Sequence, residues 1–271
     1  MNETKKNKNR IFELDLLRGI AVFLMIFDHV MFDLWGLLPS VFEGYPGYEG
    51  GWRSLFLLSR DYWDWDVRIN VRYIVVFVFL ALTGICTSFS RSNVKRGLKL
   101  GALSLALSIV TIIISYITGN GDITILFGVL HCISVSLIAV GVIEKFTKSK
   151  WIYLAIGAIM VGVGMYIGVD VPYVTPSAED MPLILLKTVL GTVMSGGDSF
   201  PLLLNGGQIF IGVFLGKLLY SERASIFSLK YNNNLITFFG RHSLPVYVIH
   251  QVAIPLILGA ILLACGYRIR L

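Results

Sequence analysis

The first long apolar run of the chain reads FELDLLRGIAVFLMIFDHVMFDLWG and covers residues 12–36. It is long enough to cross a hydrocarbon core of about 30 Å, which takes about 20 helical residues. Yet the run contains ionisable side chains, which include Arg18, Asp28, His29 and Asp33. Such groups are costly at membrane depth and mark functional positions. The run therefore predicts a membrane-spanning helix that contributes side chains to a functional site.

Six more apolar runs follow, and the composition agrees with lipid as the solvent. Of the 271 residues, 55% are hydrophobic and 15% are charged, whereas a soluble domain carries about 25% charged residues. The predicted spans are 12–36, 71–90, 97–117, 124–145, 151–169, 201–220 and 243–266. Segment 182–196 is shorter and favours an interfacial or re-entrant position, with an eighth span as the alternative. We predict an all-α, polytopic transmembrane helical bundle of about seven spans.

Lysine and arginine collect in alternate connections, and this bias predicts the orientation of the chain. Basic residues cluster in the N-terminal tail and near residues 91–99, 144–150 and 217–230. We predict a cytoplasmic N-terminus, with residues 1–10 as a polar cytoplasmic tail and residues 11–271 as a single transmembrane domain. The net charge of +6 follows from the same bias, so no nucleic-acid partner is predicted.

All four histidines of the chain lie in or at the edge of a predicted span. They are His29, His131, His242 and His250. Histidine titrates near neutral pH and both gives and takes protons, so this placement favours proton-transfer chemistry. The alternative is that each imidazole only packs and hydrogen-bonds to a neighbouring helix.

His29 is the strongest candidate for a catalytic group. Arg18 lies eleven residues earlier, which is about three turns and about 16 Å away on nearly the same helix face. Asp33 follows at i+4, where its carboxylate is predicted to orient the imidazole. Asp28 is adjacent in sequence but faces another direction. The alternative interpretation is a structural network of arginine, aspartate and histidine, because such networks also perturb titration.

The last span begins with the motif GRHSLPVYVIHQ, which starts at Gly240. Ser243 is predicted to cap the helix, since serine is a preferred N-cap residue. The residues Arg241 and His242 then lie beside a helix N-terminus, which favours anions. Further along, Tyr247 and His250 are i,i+3 neighbours that we expect to point into the bundle.

These motifs resemble those of transmembrane acyltransferases. They are most similar to the family of the lysosomal heparan-α-glucosaminide N-acetyltransferase and its smaller prokaryotic relatives. Four ordered blocks carry the resemblance, LDLLRGIAVFLMIFDH at 14–29, FGVLH at 127–131, DSFPLL at 198–203 and GRHSLPVYVIHQ at 240–251. The resemblance extends from about residue 11 to residue 255.

The resemblance implies transfer of an acyl group, commonly acetyl, from cytoplasmic acyl-CoA to a sugar amine or hydroxyl on the far side. It implies a multi-pass protein of a prokaryotic cytoplasmic membrane, with lipid, acyl-CoA and a sugar or glycolipid acceptor as partners. A homo-oligomer is compatible with it, and no metal is expected. The candidate catalytic residues are His29, Asp33, Asp28, His131 and His250. The candidates for binding CoA are Arg18, Arg91, Arg96, Arg241, His242 and Ser243, and those for binding the acceptor are Asp198, Tyr247 and Gln251.

The chain departs from the family pattern at two places. The human-type enzyme has asparagine where His29 aligns and its proposed catalytic histidine in the following loop, whereas residues 30–70 here contain no histidine. We therefore assign the role to His29, as a general base or as an acyl carrier, and favour the direct transfer. Leu204 and Asn205 stand where relatives often carry Pro-Trp. Asp198 is expected either to contact the acceptor or to cap the sixth span, and capping is the favoured single role.

Two other functions compete with acyl transfer. Buried histidine, aspartate and arginine also mark ion pathways, so a proton- or ion-coupled transporter of small solutes is the main alternative. Such transporters usually contain paired repeats with broken helices, and the sequence contains no evident repeat. A non-catalytic scaffold that retains the family fold is the third hypothesis.

Overall fold

The computed structural model describes residues 10–119, 121–176, 179–227 and 232–270. Within these ranges the chain is mostly helical with almost no strand, which confirms the predicted all-α, polytopic helical bundle. Two compact units are found, one formed by the chain up to Phe79 and from Phe227 onward, the other by Leu80–Ile226. The predicted cytoplasmic tail, residues 1–10, lies outside the described residues except for Arg10.

The helices of the described ranges differ widely in length. In chain order they are α1 (Phe12–Phe32), α2 (Leu38–Val41), α3 (Gly51–Trp63), α4 (Asp66–Ile85), α5 (Asn93–Thr118), α6 (Val129–Phe146), α7 (Trp151–Ile167), α8 (Met181–Leu190), α9 (Gly207–Leu219), α10 (Leu235–Arg241) and α11 (Ser243–Ala264). Shorter π-helical turns cover Asp33–Leu37 and Leu202–Gly206, and 3-10 turns cover Cys86–Phe89 and Gly121–Ile123. The strands β1 (Phe42–Glu43) and β2 (Arg268–Ile269) pair antiparallel.

Six helical stretches among the described residues are long and apolar enough to cross a membrane. They are Phe12–Val41, Asp66–Phe89, Asn93–Ile117, Val129–Phe146, Leu202–Leu219 and Ser243–Ala264. Each overlaps one predicted span. The remaining predicted span, 151–169, is the shorter helix α7, whose 17 residues extend about 26 Å. Helix α8 overlaps the segment 182–196 and, with 10 residues, is too short to cross a core of about 30 Å.

The outward faces of the long helices are apolar. On α5 the exposed large side chains recur every four residues, at Leu105, Ile109, Ile113 and Ile117. A spacing of four places these side chains along one face of a helix. Soluble monomeric proteins rarely expose large contiguous apolar patches. The faces are therefore explained by contact with lipid, as in an integral membrane protein.

The first unit is built around a close crossing of α1 and α10. A Cβ atom on Gly19 would overlap the Ile236 carbonyl, and one on Gly240 would overlap the Asp15 carbonyl. Small residues let two helix backbones approach closely within a membrane. The Arg18 guanidinium also donates to the Gly240 carbonyl, at 3.4 Å. The two glycines and this hydrogen bond together fix the crossing.

We predict that Gly240→Ala destabilises the protein by about 1–3 kcal/mol, because the added methyl group must push the backbone of α1 away. The matched control is Gly162→Ala in α7, where a Cβ atom would meet nothing within 4 Å. The control should keep or raise the unfolding temperature, since alanine favours a helix over glycine. Thermal unfolding of the purified proteins in detergent measures both changes, and equal unfolding temperatures would contradict the close crossing.

An apolar cluster closes one end of the first unit. It consists of Leu34, Leu38, Phe42, Tyr45 and Leu262, and the Tyr45 hydroxyl donates to the Leu34 carbonyl at 3.1 Å. The sequence predicted only a connection between residues 43 and 66, whereas the structure contains α3 there. Charged residues interrupt the apolar pattern of α3, yet its Trp52 and Phe56 pack against the cluster. Tertiary packing rather than a hydrophobic run therefore stabilises this helix.

The second unit has its own core. A buried cluster of Val140, Tyr153, Phe210, Val213 and Phe214 joins α6, α7 and α9, and α5 packs along α6. The end of α4 lies against α9, where a Cβ atom on Gly84 or on Gly212 would overlap the facing backbone.

Candidate active site

The first unit brings His29 of α1 and His250 of α11 together. Their ring centroids are 4.8 Å apart and the rings are nearly perpendicular, at 88°. His250 is buried with 6% of its surface exposed, and His29 is half-buried. The two candidate catalytic histidines that lie farthest apart in the sequence thus form one pair.

Both imidazoles are oriented by their own helices. The Nδ1 atom of His29 lies 2.8 Å from the Met25 carbonyl oxygen, and Nδ1 of His250 lies 3.1 Å from the Val246 carbonyl oxygen. A carbonyl only accepts, so each Nδ1 carries the proton and each neutral ring keeps a lone pair on Nε2. The Nε2 atom of His250 is buried and has no hydrogen-bond partner in the described part of the chain. The pair therefore presents two unprotonated nitrogens that can accept a proton.

Asp33 does not orient His29 as the sequence predicted. The imidazole bonds to Met25 instead, and no hydrogen bond joins it to Asp33 among the described residues. The Asp33 N–H still bonds to the His29 carbonyl, so the helix is α-helical up to Asp33, and it widens into a π-helical turn only from Asp33 onward. The Asp33 side chain is nevertheless buried. Single π turns often occur at functional sites, and this one directly follows the histidine.

Asp28 forms an ion pair with Arg68, which was not among the predicted site residues. Nε and Nη2 of Arg68 donate to the two carboxylate oxygens of Asp28, at 2.8 and 2.9 Å. Arg68 is buried, with 8% of its side chain exposed, against 21% for Asp28. This two-point pairing is the strong form of an arginine–carboxylate contact. Asp28 thus links α1 to the start of α4.

Aromatic residues of α3 surround this ion pair. The guanidinium of Arg68 lies 3.6 Å from the ring centroid of Trp63, a favourable cation–π distance. The hydroxyl of Tyr62 donates to Asp28 at 3.1 Å. Burial and then the charge of Asp28 raise the pKa of Tyr62 above its ordinary value, so the hydroxyl keeps the proton that it donates.

Arg68 had a signal in the sequence. It is a basic residue beside a connection rich in acid, where the positive-inside bias predicts few cations. The predicted span began only at Val71, but α4 begins at Asp66. A cation at the start of a span and against the charge bias indicates an acidic partner, which here is Asp28.

Basic residues collect where α1, α10 and α11 begin or end. Arg18 contacts both the Gly240 carbonyl, at 3.4 Å, and Asp15, at 3.7 Å. The Nε atom of Arg241 is buried without a hydrogen-bond partner in the described residues. His242 is exposed, and its Nδ1 donates to the Phe238 carbonyl at 3.0 Å. These basic side chains therefore lie around the N-terminus of α11.

The predicted cap of the last span is displaced by one residue. Helix α11 includes Ser243 as its first residue, and His242 occupies the capping position without a side-chain hydrogen bond. The preceding helix α10 ends at Arg241, which leaves no room for Ser243 outside α11. Farther along α11, Tyr247 is buried with its ring centroid 5.8 Å from that of His250, and Gln251 is half-buried.

His131 lies in the second unit and has a local network. Its Nδ1 accepts from the Gly128 backbone N–H at 3.3 Å, so the proton of the neutral ring is on Nε2. That nitrogen lies 3.2 Å from the Ser108 hydroxyl, which donates onward to the Ile125 carbonyl at 2.6 Å. Both ring nitrogens are therefore engaged in holding the start of α6.

Asp198 caps a different helix from the one expected. Its Oδ2 accepts from the backbone N–H of Val129, the first residue of α6, at 3.0 Å. Gly128 holds the N-cap position and supplies no side chain, and a Cβ atom there would overlap the Asp198 carboxylate. Asp198 thus supplies, from a distant segment, the side-chain cap that Gly128 lacks. The sequence around the sixth span does not reveal this pairing.

The two remaining candidate CoA-binding residues, Arg91 and Arg96, belong to the second unit. Arg91 is exposed, and Nη1 of Arg96 lies 3.4 Å from the Cys86 carbonyl oxygen. Their role stays a prediction. The first unit alone therefore contains the histidine pair, the Asp28–Arg68 pair and the Arg18–Arg241 basic end.

Comparison with known protein families gives one clear result. The family model described as heparan-alpha-glucosaminide N-acetyltransferase, catalytic, matches residues 10–45 and 54–252. Comparisons with curated proteins and with solved structures give no match. The matched residues include the whole of α1 and α6, which carry His29 and His131, and α11 as far as His250. The chain belongs to the heparan-alpha-glucosaminide N-acetyltransferase catalytic family, a family of membrane acetyltransferases.

Proposed function

We propose that this protein transfers an acetyl or other acyl group from acyl-CoA to an amine or hydroxyl of a sugar or glycolipid. The proposal places the reaction in the first unit, at the pair formed by His29 and His250. The single observation that carries it is this pair of imidazoles, each held through Nδ1 with Nε2 left as a proton acceptor. We also propose that the protein works in a prokaryotic cytoplasmic membrane.

His29 acts as the general base in this mechanism. Its Nε2 takes a proton from the acceptor amine or hydroxyl, while the acceptor nitrogen or oxygen forms a bond to the thioester carbonyl carbon. The carbon–sulfur bond then breaks, and the imidazolium returns the proton to the leaving thiolate as CoA-SH is released. A positioned histidine suits both steps because its ordinary pKa lies near the operating pH.

His250 is proposed to act through its contact with His29. A second imidazole at 4.8 Å offers another site for the proton while the acceptor is being activated. Its buried Nε2 has no hydrogen-bond partner among the described residues, and a buried polar atom without a partner is costly. We infer that a hydroxyl or amine of the bound acceptor supplies the missing partner.

The donor is proposed to bind at the basic end of the first unit. Arg18 and Arg241 carry guanidinium groups, whose planar fork of donors suits phosphate, and His242 and Ser243 adjoin them. Arg18 precedes His29 by eleven residues of one helix, about 16 Å. Phosphates held at Arg18 would leave the extended pantetheine arm to reach the histidine pair. Arg91 and Arg96 of the second unit stay predicted donor-binding residues.

The remaining candidates receive different roles in the proposal. Tyr247 and Gln251 lie beside His250 on α11 and are proposed to contact the acceptor. His131 and Asp198 are proposed to stabilise the start of α6, because their polar atoms are occupied by Gly128, Ser108 and Val129. Asp28 is proposed to position α1 through Arg68 rather than to exchange protons.

The test is an assay of the purified protein with acetyl-CoA and amino sugars such as glucosamine. We expect release of the CoA thiol that depends on the sugar, together with an acetylated sugar detected by mass spectrometry. Thiol release without a sugar product would indicate hydrolysis. If no donor is consumed while the protein carries solute across liposome membranes, the transporter hypothesis replaces this one.

Rapid quenching distinguishes direct transfer from an acyl-enzyme. With labelled acetyl-CoA and no acceptor, direct transfer leaves the protein unlabelled. Label on His29 within a single turnover would instead identify that imidazole as an acyl carrier. We expect no label, because one base at this depth is sufficient for the reaction.

A further inference from the structure

The second unit contains a cavity of about 590 Å³ that the proposed reaction does not use. It opens between the ends of α6, α7 and α9 and the 3-10 turn that follows α4. The volume lies within the range of ligand pockets, about 300–1,000 Å³. The polar and charged lining residues include Ser88, Glu144, Lys148, Lys150, Lys217 and Arg223.

The lining carries an excess of positive charge. Glu144 is the one acidic residue among the described residues that line the cavity. Glu144 is already bonded through Oε1 to Lys217 Nζ at 3.0 Å and through Oε2 to Asn93 Nδ2 at 2.9 Å. The other three cations, Lys148, Lys150 and Arg223, have no acidic partner in the described part of the chain. Three positive charges thus line one cavity without an ion-pair partner among the described residues.

Unused hydrogen-bond donors border the same cavity. The Oγ atom of Ser88 is buried and has no hydrogen-bond partner in the described residues. Helix α7 begins at Trp151 with Lys150 in the capping position, and no side chain caps it. The N-terminus of a helix carries partial positive charge and free N–H groups. A lysine there is unfavourable unless an anion compensates for it.

We propose that this cavity binds a phosphate group of a small ligand. The three unpaired cations, the Ser88 hydroxyl and the first N–H groups of α7 all offer donors to phosphate oxygens, and a helix N-terminus is a common phosphate site. The indole of Trp151 lines the cavity and is exposed. It can stack on a nucleobase or lie against a lipid headgroup, so a free nucleotide and an anionic phospholipid are the two sources of the phosphate. The proposal does not depend on acyl transfer at His29.

The experiment compares two probes on the whole chain. Adenosine 3′,5′-bisphosphate is titrated into detergent-purified protein by calorimetry, and native mass spectrometry measures retention of phosphatidylglycerol against phosphatidylcholine. The test variant is the triple substitution Lys148→Gln, Lys150→Gln and Arg223→Gln. We expect it to weaken binding of one probe by roughly tenfold or more, since charge-assisted hydrogen bonds to phosphate are lost. Binding to the unaltered protein should also weaken as salt is raised.

The matched control removes the same charge elsewhere in the second unit. It is the triple substitution Lys95→Gln, Lys99→Gln and Lys145→Gln, at exposed lysines that do not line the cavity. Charge-dependent binding of the nucleotide identifies a soluble ligand, and charge-dependent retention of phosphatidylglycerol identifies a lipid. The proposal is overturned if neither probe binds, or if the two triple variants weaken binding equally. A single Ser88→Ala variant, which removes one hydroxyl and no charge, should weaken binding of the same probe.

Discussion

Replacing His29 by alanine should lower kcat for acetyl transfer by about 10²–10⁴-fold, the usual contribution of a positioned general base. The KM for acetyl-CoA should change little, because the imidazole acts on the acceptor and contacts the donor only during transfer. His29→Gln should give the same loss, since glutamine can fill the space and donate to the Met25 carbonyl but cannot take a proton. The measurement is the steady-state rate of thiol release with acetyl-CoA and an amino sugar.

A structural role for His29 would give a different pattern. The control is Phe23→Ala, which removes an exposed side chain from the same helix and should leave both kinetic constants near those of the unaltered protein. Added imidazole should restore part of the rate to His29→Ala, because a free base can enter the space that the side chain leaves. If His29→Ala retains thiol release within about twofold of the unaltered protein, well below the usual effect of a base, the mechanism is wrong.

Replacing Arg68 by methionine should lower the free energy of unfolding by about 3 kcal/mol, the lower end of the effect of breaking a buried ion pair. The reason is that the Asp28 carboxylate then stays in a largely buried position, with the Tyr62 hydroxyl as its one donor among the described residues. The lower end is expected because 21% of the Asp28 side chain is exposed. Denaturant titration in detergent gives the free energy.

The double variant Asp28→Asn with Arg68→Met should recover much of this loss, because no unpaired charge remains. The difference between the single and double variants gives the coupling energy of the pair. Arg60→Met is the matched control, since Arg60 forms an exposed pair with Asp61 and such pairs contribute about 0–1 kcal/mol. Equal losses for Arg68→Met and Arg60→Met would show that the buried pair does not hold α1 to α4.

Helix periodicity explains what could be predicted at this site. The span around His29 and its spacing from Arg18 follow from the local sequence, because a helix rises by a fixed amount per residue. The contact between His29 and His250 does not follow, because periodicity gives the faces of two helices but not which of many helices pack together. The predicted contact between Asp33 and His29 is not seen among the described residues, because His29 Nδ1 bonds to the Met25 carbonyl of its own helix.

Two other features depended on partners distant in sequence. Arg68 was missed because the predicted span began at Val71, whereas α4 begins five residues earlier and Arg68 pairs there with Asp28. The cap supplied by Asp198 was assigned to the wrong helix, because a carboxylate near one helix start gives no local sign that it serves another. Helix α3 was missed because its stability comes from packing against the cluster around Tyr45.

The cap of α6 also fixes an order of events during biosynthesis. Val129 and Asp198 are 69 residues apart, and a ribosome needs roughly 3–14 s to add that many residues. The fourth apolar run is therefore synthesised seconds before its capping carboxylate. During that interval the first amide of the helix lacks this acceptor, so the cap forms only after Asp198 has been added.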